Sequence, residues 1–242
     1  VNGNVADPPI QAYAIRHSAR ARRARLTVTE RGDVVVVLPR RAAPGEAERL
    51  VAQHADWLDR HVVRARAEQA RLLDRPPLGK GRLLPIEGEP TAIIVMRAPG
   101  IDGRQGRVEL VDGRLLVVPG RADGDVAEAL ERWLRERARA RLGERVTARA
   151  PELGVRPGRI SVRDQRSRWA SASSRGDLSF SWRLILAPPF VLDAVVVHEL
   201  GHLRIRGHSQ AFWALVERHA PRTREARRWL REHAREARAA LD

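Results

Sequence analysis

The stretch VVVHELGHLRIRGHSQAFW, residues 195–213, sets three histidines and one glutamate between apolar blocks. His198-Glu199-Leu200-Gly201-His202 is the pattern H-E-x-x-H. On an α-helix, residues i and i+4 lie one turn apart on one face, so both imidazoles can point at a single Zn²⁺ ion. Glu199, beside them, can reach a water on that ion and act as a general base. The helical setting has support of its own. Phe190, Val191, Ala194 and Val195 share one side with the two histidines, while Leu192, Val196 and Leu203 continue around another. In a helix buried on most of its circumference, each unpaired polar group loses solvation worth roughly 1–3 kcal/mol. A bound metal ion removes that difficulty.

A catalytic zinc typically takes three protein ligands and leaves the fourth position to water. His208 is the expected third ligand, because a chain that stops its helix at Gly207 can bring the next residue back beneath it. Glu217 and Glu225 compete for that place, since a glutamate on a following helix can also serve. The spacing fits H-E-x-x-H-x-x-G-x-x-H as well, but that metzincin pattern needs glycine where Ile205 stands and a later methionine turn. The only methionine is Met96, far upstream, so the metzincin assignment is rejected. The chemistry implied is metal-assisted hydrolysis of an amide. No donor for the developing oxyanion stands out: Tyr13, the single tyrosine, is distant in sequence, and Arg183 and His219 are weak candidates beside the metal itself.

HELGHLRIRGHSQAFW, preceded by SFSWRLILAPPFVLDAVVV, resembles the YgjP-like metallopeptidase family, a zincin group related to the SprT-like proteases. The resemblance is strongest over residues 160–230 and extends to YAIRHSARARRARLTV and VLPRRAAP in the N-terminal half. It implies a zinc-dependent peptidase in which His198, His202 and His208 match the ligand positions and Glu199 the base. Members commonly carry W-G-S-C-S before the strand that leads to the metal helix. Trp169-Ala170-Ser171-Ala172-Ser173 stands there instead, with alanine for both the glycine and the cysteine. That departure puts in question a thiol or an unusual turn at this point, and leaves metal binding untouched.

The elements that must position these residues can be read around them. Pro188-Pro189 ends a strand and opens the metal helix, proline being tolerated in a first helical turn. Helical pieces are expected over residues 189–206, 209–220 and 223–240, with Gly207 stopping the first and Ser209 capping the second. Upstream, strands are expected over 159–163 and on both sides of the turn Ser174-Arg175-Gly176-Asp177. A peptide substrate could add as an extra strand beside residues 177–186.

The first half contains a unit that occurs twice: hairpin, proline exit, helix with Trp-Leu. Residues 26–39 lead into the helical segment 44–62, and residues 108–120 into DVAEALERWLRERARARL, with glycine turns at Arg31-Gly32-Asp33 and Asp112-Gly113. Between them, Gly79-Lys80-Gly81 lacks the residues of a phosphate loop and reads as a connector. The expected fold is α+β: a β-rich N-terminal region of hairpin-helix units over residues 1–120, then a zincin-like domain over 121–242, with a small antiparallel sheet and a helical active-site core.

Composition limits the alternatives. The 242 residues include no cysteine, which excludes disulfides, thiolate metal sites and a cysteine nucleophile. No apolar run approaches the length a bilayer demands, and nothing reads as a signal peptide, so a cytoplasmic location is expected. The formal charge of +15 raises nucleic acid as a partner beside peptide or protein substrates, so the alternative function is a nucleic-acid-associated protease or a basic DNA-binding protein. Lys80 is the only lysine among 45 basic residues, which looks as much like codon bias as like a binding face. In the C-terminal helix Glu225, Glu232 and Glu236 interleave with arginine, as on a solvated face with local ion pairs.

Overall fold

Gly32, at φ 84°, closes the first expected hairpin. Its strands, β2 (Arg25–Val28) and β3 (Val34–Pro39), pair antiparallel, and β1 (Tyr13–Ser18) lies parallel to β3 on the other side. The helical segment expected after them is two helices, α1 (Glu46–Gln53) and α2 (Ala55–Leu73), because His54 leaves the helical conformation at φ −118°, ψ 22°. Val34, Val36 and Leu38, alternating on one face of β3, form a core with Val51, Leu58 and Val62. These elements lie in the first of two compact units, Val1–Arg75 and Pro76–Asp242. The computed structural model describes residues 12–96, 106–120, 125–165 and 167–242. Residues 1–11, expected not to be a signal peptide, lie outside the described residues.

In the larger unit the second hairpin joins β6 (Arg107–Val111) to β7 (Arg114–Val118) through Asp112 and Gly113, both left-handed at φ 48° and 72°. With β4 (Leu83–Ile86) and β5 (Glu89–Val95) they form a sheet of order β4-β5-β7-β6. The expected helix follows as α3 (Asp125–Glu152). A third sheet, order β8-β10-β9, is made by β8 (Ile160–Arg163), β9 (Ala170–Ala172) and β10 (Leu178–Ser181).

The three sheets share one topology. In each, a strand is followed by an antiparallel hairpin whose second strand returns parallel to the first: β1 with β2-β3, β5 with β6-β7, β8 with β9-β10. This strand arrangement occurs three times; the helix after the third hairpin carries His198 and His202 but lacks the Trp-Leu pair of the unit expected twice.

The strand expected over 177–186 ends at Ser181. Its hydroxyl accepts the Arg183 N–H, and Trp182–Leu186 wind into a fully buried 3₁₀ turn. Then comes α4 (Pro189–His202), with proline at its start as expected. It ends four residues earlier than expected: Leu203 and Arg204 N–H groups bond to the carbonyls of Leu200 and Gly201, and the Arg204 guanidinium donates to Leu153 O. Gly207, at φ 80°, turns the chain, and Ser209 caps α5 (Gln210–His219) by accepting from Phe212 N–H. The last expected helix is broken at His233 into α6 (Thr223–Glu232) and α7 (Ala234–Arg238).

What holds α4 is burial on nearly all sides. Val191, Val196, Val197 and Leu200 are inaccessible to solvent, each worth about 1.5–3 kcal/mol. They share a core with the stripe Leu130, Leu134, Ala138, Leu142 and Val146 of α3 and with Leu84, Ile93, Leu115 and Val117 of the four-stranded sheet. β4, β5 and β7 thus share one core with α4, within the compact unit Pro76–Asp242. Asp193, which interrupts the apolar run, accepts a bidentate pair from Arg149 of α3 at 2.9 and 2.7 Å. The tight turn Glu87-Gly88 docks at the start of the helix, its N–H groups donating to Ile185 and Leu186 carbonyls, with Gly88 against Pro188. The fold is α+β, and no helix among the described residues is long and apolar enough to cross a membrane.

Candidate metal centre

The i, i+4 spacing and the turn at Gly207 bring His198, His202 and His208 together. One ring nitrogen from each lies within 4.8 Å of the others. His198 Nε2 stands 3.1 Å from His202 Nε2 and 3.2 Å from His208 Nε2. Nitrogens bound tetrahedrally at about 2.0–2.1 Å would be spaced by about 3.3 Å, and the two spacings around His198 match that. Their protonation states fit too. Burial, with the neighbouring His202, His208 and Arg227 adding to it, lowers the His198 pKa to about 4, and burial lowers that of His202. Both rings are therefore neutral near pH 7, the form that ligates metal. His202 Nδ1 lies 3.4 Å from the Ile205 carbonyl, an N–H donation that turns the Nε2 lone pair toward the other rings.

Phe212 and Trp213 were not singled out by spacing, yet they build the floor and one wall. The Phe212 ring stacks on His202 with centroids 4.4 Å apart and meets His198 and His208 edge-on at 5.0 and 5.1 Å. Trp213 lies flat against His208 at 5.5 Å. Their signal was present in HSQAFW: with Ser209 as cap, positions 212 and 213 fall in the first turn of the helix that follows the third histidine.

Glu199 is only 6 % exposed. Burial pushes its pKa up to about 7, against the pull of an N–H donated by Ala172 and of the Arg168 charge. The Ala172 contact follows from strand register. Ser173 N–H donates to Asp177 O and Ser181 N–H to Trp169 O, so odd residues of β9 face β10 and Ala170 and Ala172 face away, toward α4. Those two alanines are the ones that replace glycine and cysteine in the pattern common to the resembling family. A cavity of about 210 Å³ opens beside Glu199, lined by Trp169, Ala170, His198, Glu199, Trp213 and Arg227 among others.

The other expected candidates lie elsewhere. Glu217 pairs with Arg224 at 3.1 Å, and Glu225 accepts Arg222 at 2.8 and 2.6 Å. Neither belongs to the histidine group. Arg183 is buried, tied to Asp164 and stacked over Trp182, and neither it nor His219 lines the cavity. The peptide strand expected beside residues 177–186 has no edge to join, since β10 is bonded to β8 on one side and β9 on the other. The open edge next to Glu199 belongs to β9.

No curated protein and no solved structure matches the chain. A family model described as YgjP-like, metallopeptidase domain, matches residues 22–233, from just before β2 through His233. With most of the 242 residues inside that match and the histidine cluster within it, the chain belongs to the YgjP-like metallopeptidase family.

Proposed function

We propose that the protein is a zinc-dependent peptidase in which His198, His202 and His208 hold the ion and Glu199 is the general base. The observation that carries this reading is the convergence of the three Nε2 atoms at 3.1 and 3.2 Å around His198, with a buried carboxyl beside them. A bound zinc ion would supply polarisation of the substrate carbonyl and a water whose pKa falls toward about 7.

The rest is the work of the chain's own groups. Glu199 takes the proton of the attacking water on a carboxylate oxygen and delivers it to the amide nitrogen as that nitrogen leaves. A carboxyl whose pKa is pushed up to about 7 both accepts and releases a proton near neutral pH, which suits it to the two steps. The Ala172 N–H holds the carboxylate in place, and Phe212 and Trp213 keep the imidazoles from rotating. The peptide joins the outward edge of β9 as an added strand, using main-chain groups of Ala170, so its backbone is recognised with little demand on sequence. Residues 121–242 supply the catalytic groups in this reading.

Glu199→Gln is the test. Zinc content should match the wild type while peptide hydrolysis falls by at least about a hundredfold, the scale of a lost general base. Hydrolysis at the wild-type rate in a zinc-loaded Glu199→Gln protein would remove Glu199 from the mechanism.

A further inference from the structure

Arg227 stands at the rim of the cavity beside the base. It lines the same space as His198 and Glu199, and its guanidinium lies over the Trp213 ring, 4.3 Å from the centroid. Trp213 in turn lies flat against His208. A guanidinium stacked this way keeps its N–H fork free in the plane of the group, the geometry that receives a carboxylate through two parallel hydrogen bonds.

Several other arginines of this unit have carboxylate partners. At the start of α6, Arg222 is held by Glu225 and Arg224 by Glu217. Elsewhere in this unit, Arg149 is held by Asp193, Arg137 by Glu87 and buried Arg183 by Asp164. Among the described residues no carboxylate pairs with Arg227. Glu199 shares its cavity, yet the guanidinium that acts on Glu199 is Arg168, not Arg227. The remaining walls are apolar: Ala194 and Val195 of α4, Ala226 and Leu230 of α6, with Trp169 opposite. Thr223, the other polar residue there, already donates its hydroxyl to Ala220 O at 2.6 Å. The site thus combines one unpaired cation with low-polarity walls that strengthen an ion pair formed against them.

We infer that Arg227 recognises a carboxylate on the peptide substrate, making the cavity a subsite for a residue with an acidic side chain or for the peptide's own C-terminus. This rests on the peptidase reading for the nature of the ligand, not for the geometry of the subsite. Of the anions that a guanidinium accepts, carboxylates are the ones a peptide carries. A residue entering from the β9 edge would lay its aliphatic part along Trp169 and Ala170 and bring its carboxylate to the rim. Arg227 is exposed on its outer side, so water screens the pair and the expected gain is about tenfold in affinity rather than several hundredfold.

The test measures binding rather than turnover. Three fluorescently labelled peptides of one neutral sequence are titrated by anisotropy against full-length Glu199→Gln protein. One carries a central glutamate and an amidated C-terminus, one a glutamine there and a free C-terminus, one a glutamine and an amidated end. The acidic or the free-ended peptide should bind about tenfold tighter than the neutral one, and whichever of the two does so identifies the source of the carboxylate. That preference should vanish in Arg227→Gln and survive in part in Arg227→Lys. Arg228→Gln, which removes the same charge from an adjacent position outside the cavity, should keep it.

Equal affinity for the three peptides in the parent protein, or an unchanged preference in Arg227→Gln, overturns the inference. Hydrolysis by the wild type is scored separately on the same peptides. A carboxylate preference that depends on Arg227, without cleavage of any peptide, would sink the peptidase reading while leaving the subsite standing. Cleavage without such a preference would do the reverse.

Discussion

Gly201 and Phe212 lie so close that a Cβ on Gly201 would stand 3.2 Å from Phe212 Cε2, with a Val216 methyl at 3.4 Å. Gly201 sits between the two histidines of α4, and Phe212 is the ring on which His202 stacks. The absence of a side chain at 201 therefore fixes how near α5 approaches α4, and with it where His208 and the aromatic floor come to rest.

Gly201→Ala separates this role from simple stability. Alanine gains about 1 kcal/mol of helix propensity, which offsets the crowding. The melting temperature of the metal-free protein should change little. Zinc affinity, measured by competition with a chelator, should fall by about tenfold, since fully buried Phe212 must shift and carry the imidazoles with it. An unchanged zinc affinity would show that the α4–α5 spacing does not set the ligand geometry.

Ala170→Pro tests the open edge of β9. The Ala170 N–H points away from β10, so proline there removes a group offered to a peptide without breaking the sheet ladder. The expected result is a KM raised by about tenfold, the worth of a main-chain hydrogen bond, with zinc content and melting temperature near those of the wild type. The same KM for Ala170→Pro and wild type would place the peptide elsewhere.

The buried groups make the metal-free protein respond to pH in two opposed directions. Glu199 has its pKa raised from 4.5 to about 7, so its contribution to stability is fully present below about pH 4.5 and is lost as pH rises through 7. His198 has its pKa lowered from 6.5 to about 4, so its contribution is present above about pH 6.5 and is lost as pH falls through 4. Glu199→Gln removes the first and leaves the second. In the presence of a chelator the variant should gain melting temperature relative to wild type as pH rises from 5 to 8. A difference that stays flat across that range would mean that burial does not shift the carboxyl.

The site was legible in the sequence wherever the geometry is local. Helical spacing in H-E-x-x-H sets His198, Glu199 and His202 side by side, and Gly207, His208 and Ser209 spell out the reversal and the cap that return the third ring. What stayed hidden depends on contacts distant along the chain. Residues 177–186 read as one strand, because uniform burial of Trp182–Leu186 erases the alternation that would have marked where β10 stops. The strand expected before the turn at Ser174 is β9, but that it forms the sheet edge beside Glu199 follows from strand pairing, which no local pattern announces. The likeness of the third strand-and-hairpin arrangement to the other two was not legible, its strands being only three or four residues long. The parallel partners β1, β5 and β8 each pair with a strand reached only after an intervening hairpin, which no local signal announces. Arg227 looked like one more arginine in TREARRW; only the fold puts Trp213 beneath it.

In the proposed centre three histidines, and no glutamate, hold the metal. Zinc binding to wild-type and His208→Ala proteins, both stripped and retitrated against a chromophoric chelator, tests it most directly. Wild type should bind one zinc per chain, and His208→Ala should bind it at least about a hundredfold more weakly, as expected when one of three protein ligands is lost. Wild-type affinity in His208→Ala would contradict the assignment and return the third position to Glu217 or Glu225.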